Sequence, residues 1–263
     1  MGGRRDAGFG GNSAPNAAAA TADSVTTADR AEQADTTDLP PGLSEEGVVD
    51  PLALVDARRQ TLQNTSYTLS TSYTYRDQNG TVFAQGTYTA RVAPGAESYY
   101  ATVADRYEND TRAVGADHYD VAVWANETDR VIARSDSGGE TSYRTVERSD
   151  APLSPSTQWQ LLYAAFGTTD TAVVGQVEHD GTTLYKITST SSPEPRSAYA
   201  GTLYDFTALV DSEGVVHSFS LTHETTVADR SAIVTRTTQL VRIGNTTVER
   251  PSWYQRAVGN ESE

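Results

Sequence analysis

His217, Phe219, Leu221 and His223 alternate along one strand-like run, which sends all four side chains to one face, with Glu224 adjacent. Two imidazoles and a carboxylate are ligand types for a transition metal. Their spacing is not the His-Glu-x-x-His pattern, and they lie on a strand rather than a helix. They therefore read better as surface or locally satisfied histidines, and no metal is assigned. Asp205 lies between Tyr204 and Phe206 and reads as the outward member of an alternating pair. The sequence has no Gly-x-Ser-x-Gly elbow, no Gly-x-Gly-x-x-Gly turn and no phosphate-binding loop. It also has no Cys, which removes thiol nucleophiles, thiolate-ligated zinc, iron–sulfur clusters and disulfides together. No catalytic residue and no cofactor is assigned, and the chain reads as non-enzymatic.

Aromatic residues carry a different chemistry. There are 14 Tyr, 5 Phe and 3 Trp, spread along the strands. Tyr88, Tyr99, Trp124, Trp159, Phe166, Phe206 and Phe219 are the candidate lining of an apolar binding surface. The same residues can equally fill a dry core, where Tyr and Trp bury area and keep a polar tip hydrated. Periodicity alone does not say which strand face is concave.

The elements that must position these residues begin with one helix. Asp50 caps it, Pro51 suits its first position, and Leu52, Val55, Arg59 and Leu62 fall at helical spacing up to Asn64. From Ser66 the period becomes two. Strands are expected at about 66–75, 81–92, 97–107, 117–125, 129–135 and 140–147, with Asp77-Gln78-Asn79-Gly80 as a hairpin turn. Ser154-Pro155-Ser156-Thr157 opens a second helix in which Trp159, Leu162, Tyr163 and Phe166 share a face. Further strands follow at about 171–179, 182–190, 200–212, 215–228 and 231–243, and Trp253 to Val258 forms a short closing segment. This order predicts a mainly β (α+β) protein: one long meandering antiparallel sheet, curled into an open half-barrel and covered by an N-terminal and a central helix. A closed barrel or a two-sheet sandwich fits the periodicity as well.

Composition describes the surroundings. Among 263 residues, 35 are acidic and 20 basic, for a net charge of −15, and 19 of the 20 basic residues are Arg. That balance excludes a nucleic-acid partner, which needs clustered cations. With Thr and Ser above a fifth of the chain, it is the composition expected of a haloarchaeal protein, whose carboxylates keep it hydrated while dense salt screens their repulsion. Asn64, Asn79, Asn109, Asn126, Asn245 and Asn260 all lie in Asn-x-Ser/Thr. Those are six of eight Asn, against about two expected by chance, and they point to a glycosylated, outward-facing protein at the cell surface. Residues 1–46 read as a disordered acidic tether closed by Leu39-Pro40-Pro41-Gly42, residues 47–258 as the folded domain, and 259–263 as a disordered tail. No signal-peptide core follows Met1, no lipobox Cys occurs, and no run approaches the roughly 18 apolar residues that span a bilayer.

Two stretches carry a family resemblance. One is Leu39-Pro40-Pro41-Gly42-Leu43 through Asp50-Pro51, Leu54, Arg59, Leu62 and Asn64-Thr65-Ser66-Tyr67-Thr68-Leu69; the other runs from Tyr204-Asp205-Phe206 through Asp211-Ser212-Glu213-Gly214 to His217-Ser218-Phe219. With the order of elements over about residues 39–258, they resemble a haloarchaeal family of uncharacterised, often lipid-anchored surface proteins with the half-barrel fold of LolA, LppX and LprG. The resemblance implies no catalytic residues and a hydrophobic ligand, a lipid or a lipidated protein. Two functions are therefore expected: a surface carrier whose half-barrel holds such a chain, or a glycosylated structural module with a filled core. The oligomeric state is not legible.

Overall fold

The computed structural model describes residues 39–107, 120–136, 138–147, 158–190, 203–227 and 230–259, together with 153 and 155. Most of the expected tether, nearly all of the tail, and Asn109 and Asn260 lie outside the described residues. Residues 39–46, assigned to the tether on composition, instead belong to the packed body. Leu43 is buried in the core with Leu39 against it, and β1 (Leu43–Ser44) pairs with β2 (Gly47–Val48). The backbone N–H of Val48 then donates to Thr171 Oγ1 at 2.9 Å, fixing this entry segment to the sheet.

Helix α1 (Pro51–Gln63) begins where the sequence predicts, with the Asp50 carboxylate accepting from the N–H of Ala53 at 3.0 Å. Its buried stripe is Leu54, Val55, Arg58 and Leu62. Leu52 is 52% exposed, and Arg59 faces solvent in an ion pair with Asp56 at 3.1 Å. The helix is therefore rotated from the expected face. The reason lies beneath it. The turn at Asp211–Gly214 fits under Ala57 and selects which side packs down.

After α1 come β3 (Tyr67–Arg76), β4 (Val82–Val92), β5 (Tyr99–Tyr107), β6 (Asp120–Ala125), β7 (Arg130–Ser135) and β8 (Thr141–Thr145). Helix α2 (Gln158–Thr168) follows, then β9 (Thr171–His179), β10 (Thr182–Ser189), β11 (Leu203–Val210), β12 (Val216–Val227) and β13 (Arg230–Val241), and α3 (Tyr254–Gly259) closes the described chain. Strands β3 to β13 form one antiparallel sheet of 11, in the order β8-β7-β6-β5-β4-β3-β13-β12-β11-β10-β9. The two edge strands do not pair with each other, so the sheet is an open half-barrel.

The strand order refines the expectation of one continuous meander. The chain enters at the centre of the sheet with β3 and meanders to one edge at β8. It then crosses to the opposite edge through the segment that carries α2, and meanders back until β13 lies beside β3. At that central seam the buried hydroxyls of Thr71 and Thr238 hydrogen-bond to each other at 2.9 Å. The crossover is what brings α2 over the same sheet face as α1.

Candidate functional site

Strand parity and the two helices together define the concave face. On one half, Leu54 and Val55 of α1 and Leu161, Leu162, Ala165 and Phe166 of α2 pack on Ile187, Phe206, Ala208, Val210, Phe219 and Leu221. Phe166 and Phe206 meet edge-on with ring centroids 5.0 Å apart. On the other half, Leu62 of α1 packs over Leu69, Tyr88, Ala90, Tyr99, Ala101 and Val123. The Tyr88 hydroxyl donates to the carbonyl of Leu153 at 3.1 Å, and Arg130 Nη1 donates to the Tyr99 hydroxyl at 3.2 Å. Of the seven aromatic residues expected to line an apolar surface, Phe206, Phe219, Tyr88 and Tyr99 lie on this one face and Phe166 packs onto it from α2. They divide into two groups: Phe166, Phe206 and Phe219, and Tyr88 and Tyr99.

The other two are placed elsewhere. Trp124 stands one residue out of phase with Val123 and Ala125, so it projects from the convex face. There α3 covers it. Its ring meets Tyr254 edge-on at 5.2 Å, and Arg250 sits over both rings, 5.5 Å from Trp124 and 4.6 Å from Tyr254. Trp159 is 41% exposed and Tyr163 44%, because the buried stripe of α2 is Leu161, Leu162, Ala165 and Phe166. Both tryptophans correct the expectation: one belongs to the back of the sheet, the other to the outer flank of α2.

Arg58 is not among the residues expected from the sequence. It is 7% exposed, in the middle of the α1 stripe, between Leu54 and Val55 over one half of the concave face and Leu62 over the other. Its Nε has no hydrogen-bond partner. Burial lowers the affinity of this guanidinium for its proton, with Tyr67 acting in the opposite sense. Burial likewise raises the pKa of Tyr67, Tyr88 and Tyr99. The one available signal was spacing: Arg58 falls three and four residues after Val55 and Leu54 and four before Leu62.

Toward the far end of the same face lies a polar group. The Tyr73 hydroxyl donates to Asp105 Oδ1, and Gly86 leaves them room, since a Cβ there would lie 2.2 Å from the carboxylate oxygen and 2.5 Å from the Tyr73 hydroxyl. Arg236 lies 5.9 Å from the Tyr73 ring centroid. Arg236 Nε and His223 Nδ1 are buried without partners, and burial followed by the nearby Arg236 lowers the His223 pKa.

The residues with metal-like spacing are not brought together. His217 Nε2 is 2.7 Å from Asp211 Oδ2, in the turn where Asp211 Oδ1 also accepts from the N–H of Glu213 at 3.0 Å and of Val215 at 2.8 Å. His223 lies six residues further along β12, about 20 Å away. Asp205 is exposed, as alternation predicts. Asn64, Asn79 and Asn245 are exposed at a helix end or in turns, whereas Asn126 Oδ1 accepts from the N–H groups of Thr128 at 3.0 Å and Asp129 at 2.6 Å. No helix among the described residues is long and apolar enough to cross a membrane.

The fold and this face define a class, an open antiparallel half-barrel with a helical cover over its apolar concave side. No family model matches the sequence, and no curated protein matches it. Among solved structures the chain is similar to LprF from Mycobacterium bovis, at 11% identity over 77% of this chain and 96% of that one, with a TM-score of 0.42. It is also similar to the lipoprotein LppX of Mycobacterium tuberculosis, at 16% identity over 75% and 97% of the two chains and a TM-score of 0.37. A DUF1329 family protein from Desulfovibrio piger shows 11% identity over 78% and 97%, with a TM-score of 0.29. The half-barrel itself stands on the strand order, in which β8 and β9, at the two ends among the described residues, do not pair with each other.

Proposed function

We propose that this chain is a non-enzymatic carrier or binder of a hydrophobic ligand, a lipid or the acyl part of a lipidated protein, at the surface of a haloarchaeal cell. One observation carries the reading. The concave face of an unclosed sheet presents apolar residues in two separate groups, and among the described residues the helices over them are two, one of them on a crossover segment. Such a cover can lift without breaking the sheet, and an inserted chain gains about 0.8 kcal/mol for each CH₂ it buries. The transfer needs no bond chemistry. The acidic, Lys-poor composition and the exposed sequons support a salty, external setting.

The second reading, a glycosylated scaffold of the cell envelope with a filled interior, is favoured by the close edge-on pair of Phe166 and Phe206. Solvent extraction of the purified protein, followed by mass spectrometry, separates the two. A stoichiometric co-purifying amphiphile, or uptake of a fluorescent fatty-acyl probe, is expected for the carrier. Neither signal, with an unchanged spectrum on adding probe, leaves the scaffold.

A further inference from the structure

The chain has 35 carboxylate side chains for 20 basic ones, so its cations do not lack partners. Arg59 pairs with Asp56 at 3.1 Å and Arg230 with Asp77 at 2.9 Å, both near the surface. Arg58 is the contrast. It lies within the apolar stripe of α1, its Nε is without a partner, and no carboxylate among the described residues pairs with it. A guanidinium does not shed its proton to escape burial, so a charge in such a place calls for a counter-charge supplied from elsewhere.

Three features decide what that counter-charge is. The guanidinium fork matches carboxylate or phosphate oxygens in pairs. Tyr67, whose electrostatic influence reaches Arg58, adds a hydroxyl that can donate to an oxyanion. Leu69, Ala90 and Ala101, in register across β3, β4 and β5, continue the same face as a row of buried apolar residues. From these we infer that Arg58 is the head-group anchor of the ligand: the bound molecule is an amphiphile with an oxyanion head, carboxylate or phosphate, whose chain runs along the concave face while the head seats against Arg58 beneath α1. This rests on the carrier reading and narrows its ligand class.

The test is displacement of a fluorescent acyl probe from the full chain in concentrated KCl, where surface charge is screened and a buried pair is not. The competitors are dodecanoate, dodecyl phosphate and dodecanol. For the native protein, one or both anions compete at roughly tenfold lower concentration than the alcohol, and the stronger one identifies the head group. In Arg58→Met, which keeps length and apolar stem, the anions weaken to the level of dodecanol while dodecanol itself is unchanged. Arg58→Lys retains part of the preference. Equal competition by all three on the native protein overturns the anchor and leaves the carrier intact; so does undiminished preference in Arg58→Met. If Arg58→Met does not fold, the native series with Arg58→Lys decides by itself. Failure of every competitor and of the probe overturns the carrier reading, and the anchor with it.

Discussion

Replacing Gly214 by Ala tests how the helical cover is seated. Gly214 has φ of +84°, a left-handed conformation that costs an L-residue with a side chain about 1–2 kcal/mol. A Cβ there would also lie 2.8 Å from the Cβ of Ala57 and 3.8 Å from the backbone nitrogen of Arg58. The first contact is between two atoms fixed to backbone, so no rotamer change relieves it. Overpacking of this kind costs about 1–3 kcal/mol. Together the terms predict a loss of about 2–5 kcal/mol. For a domain of this size each kcal/mol lowers Tm by about 2–4 °C, which thermal unfolding in concentrated KCl resolves. The double variant with Ala57→Gly separates the two terms. Alone, Ala57→Gly loses about 1 kcal/mol of helix propensity. Combined with Gly214→Ala it restores the steric part and leaves the backbone part, giving a coupling energy of about 1–3 kcal/mol. A loss below about 1 kcal/mol for Gly214→Ala, or strict additivity of the two changes, would refute the seating of α1 on this turn.

Phe206→Ala should lose about 3–5 kcal/mol in chemical denaturation, because Phe206 is fully buried and its partner Phe166 is left facing a void. His223 should make the protein less stable in acid. Its folded pKa lies below the ordinary 6.5, so the unfolded chain takes up the proton first and stability falls as pH drops through 6.5; Tm measured down the pH scale should flatten in His223→Gln. Tyr67, Tyr88 and Tyr99 act at the other end. Their folded pKa values are raised above 10.0, so their contribution is complete below that pH and is lost as the pH climbs past it, which Tyr88→Phe should lessen in an alkaline unfolding series. Dialysis from concentrated to dilute salt should lower Tm steadily, as the net charge of −15 loses its screening.

Much of the half-barrel is legible from local pattern. The Asp50-Pro51 start of α1, the Asn79-Gly80 hairpin and the period-two runs of β3, β4, β12 and β13 each follow from residues that touch within one element or one turn. What depends on partners distant in sequence is not legible. Alternation shows that Val123 and Trp124 face opposite ways but not which way is concave, because α3, 130 residues on, is what makes a covered site for Trp124. The faces of α1 and α2 differ from helical spacing for a similar reason. A Leu and a Trp at helical spacing look like core until the turn at Gly214 fixes the azimuth of α1 and turns Leu52 out and Arg58 in. Arg58 is not legible because a charged residue in an apolar stripe contradicts the rule that finds the stripe. Leu39 and Leu43 read as tether because their neighbours in sequence are small and polar, though their neighbours in space are not.

The crossover between the sheet edges has a kinetic consequence. Each run, β3 to β8 and β9 to β13, consists of strands paired with their neighbours in sequence, so each can assemble by short loop closures. Among the described residues one ladder, β3 with β13, joins them. At the seam Thr71 meets Thr238 across 167 residues, and that closure comes late, after the ordering entropy of both runs has been met. Folding should therefore proceed as two quick local events followed by one slow docking, and substitutions at the seam should retard folding more than equally destabilising ones within either run.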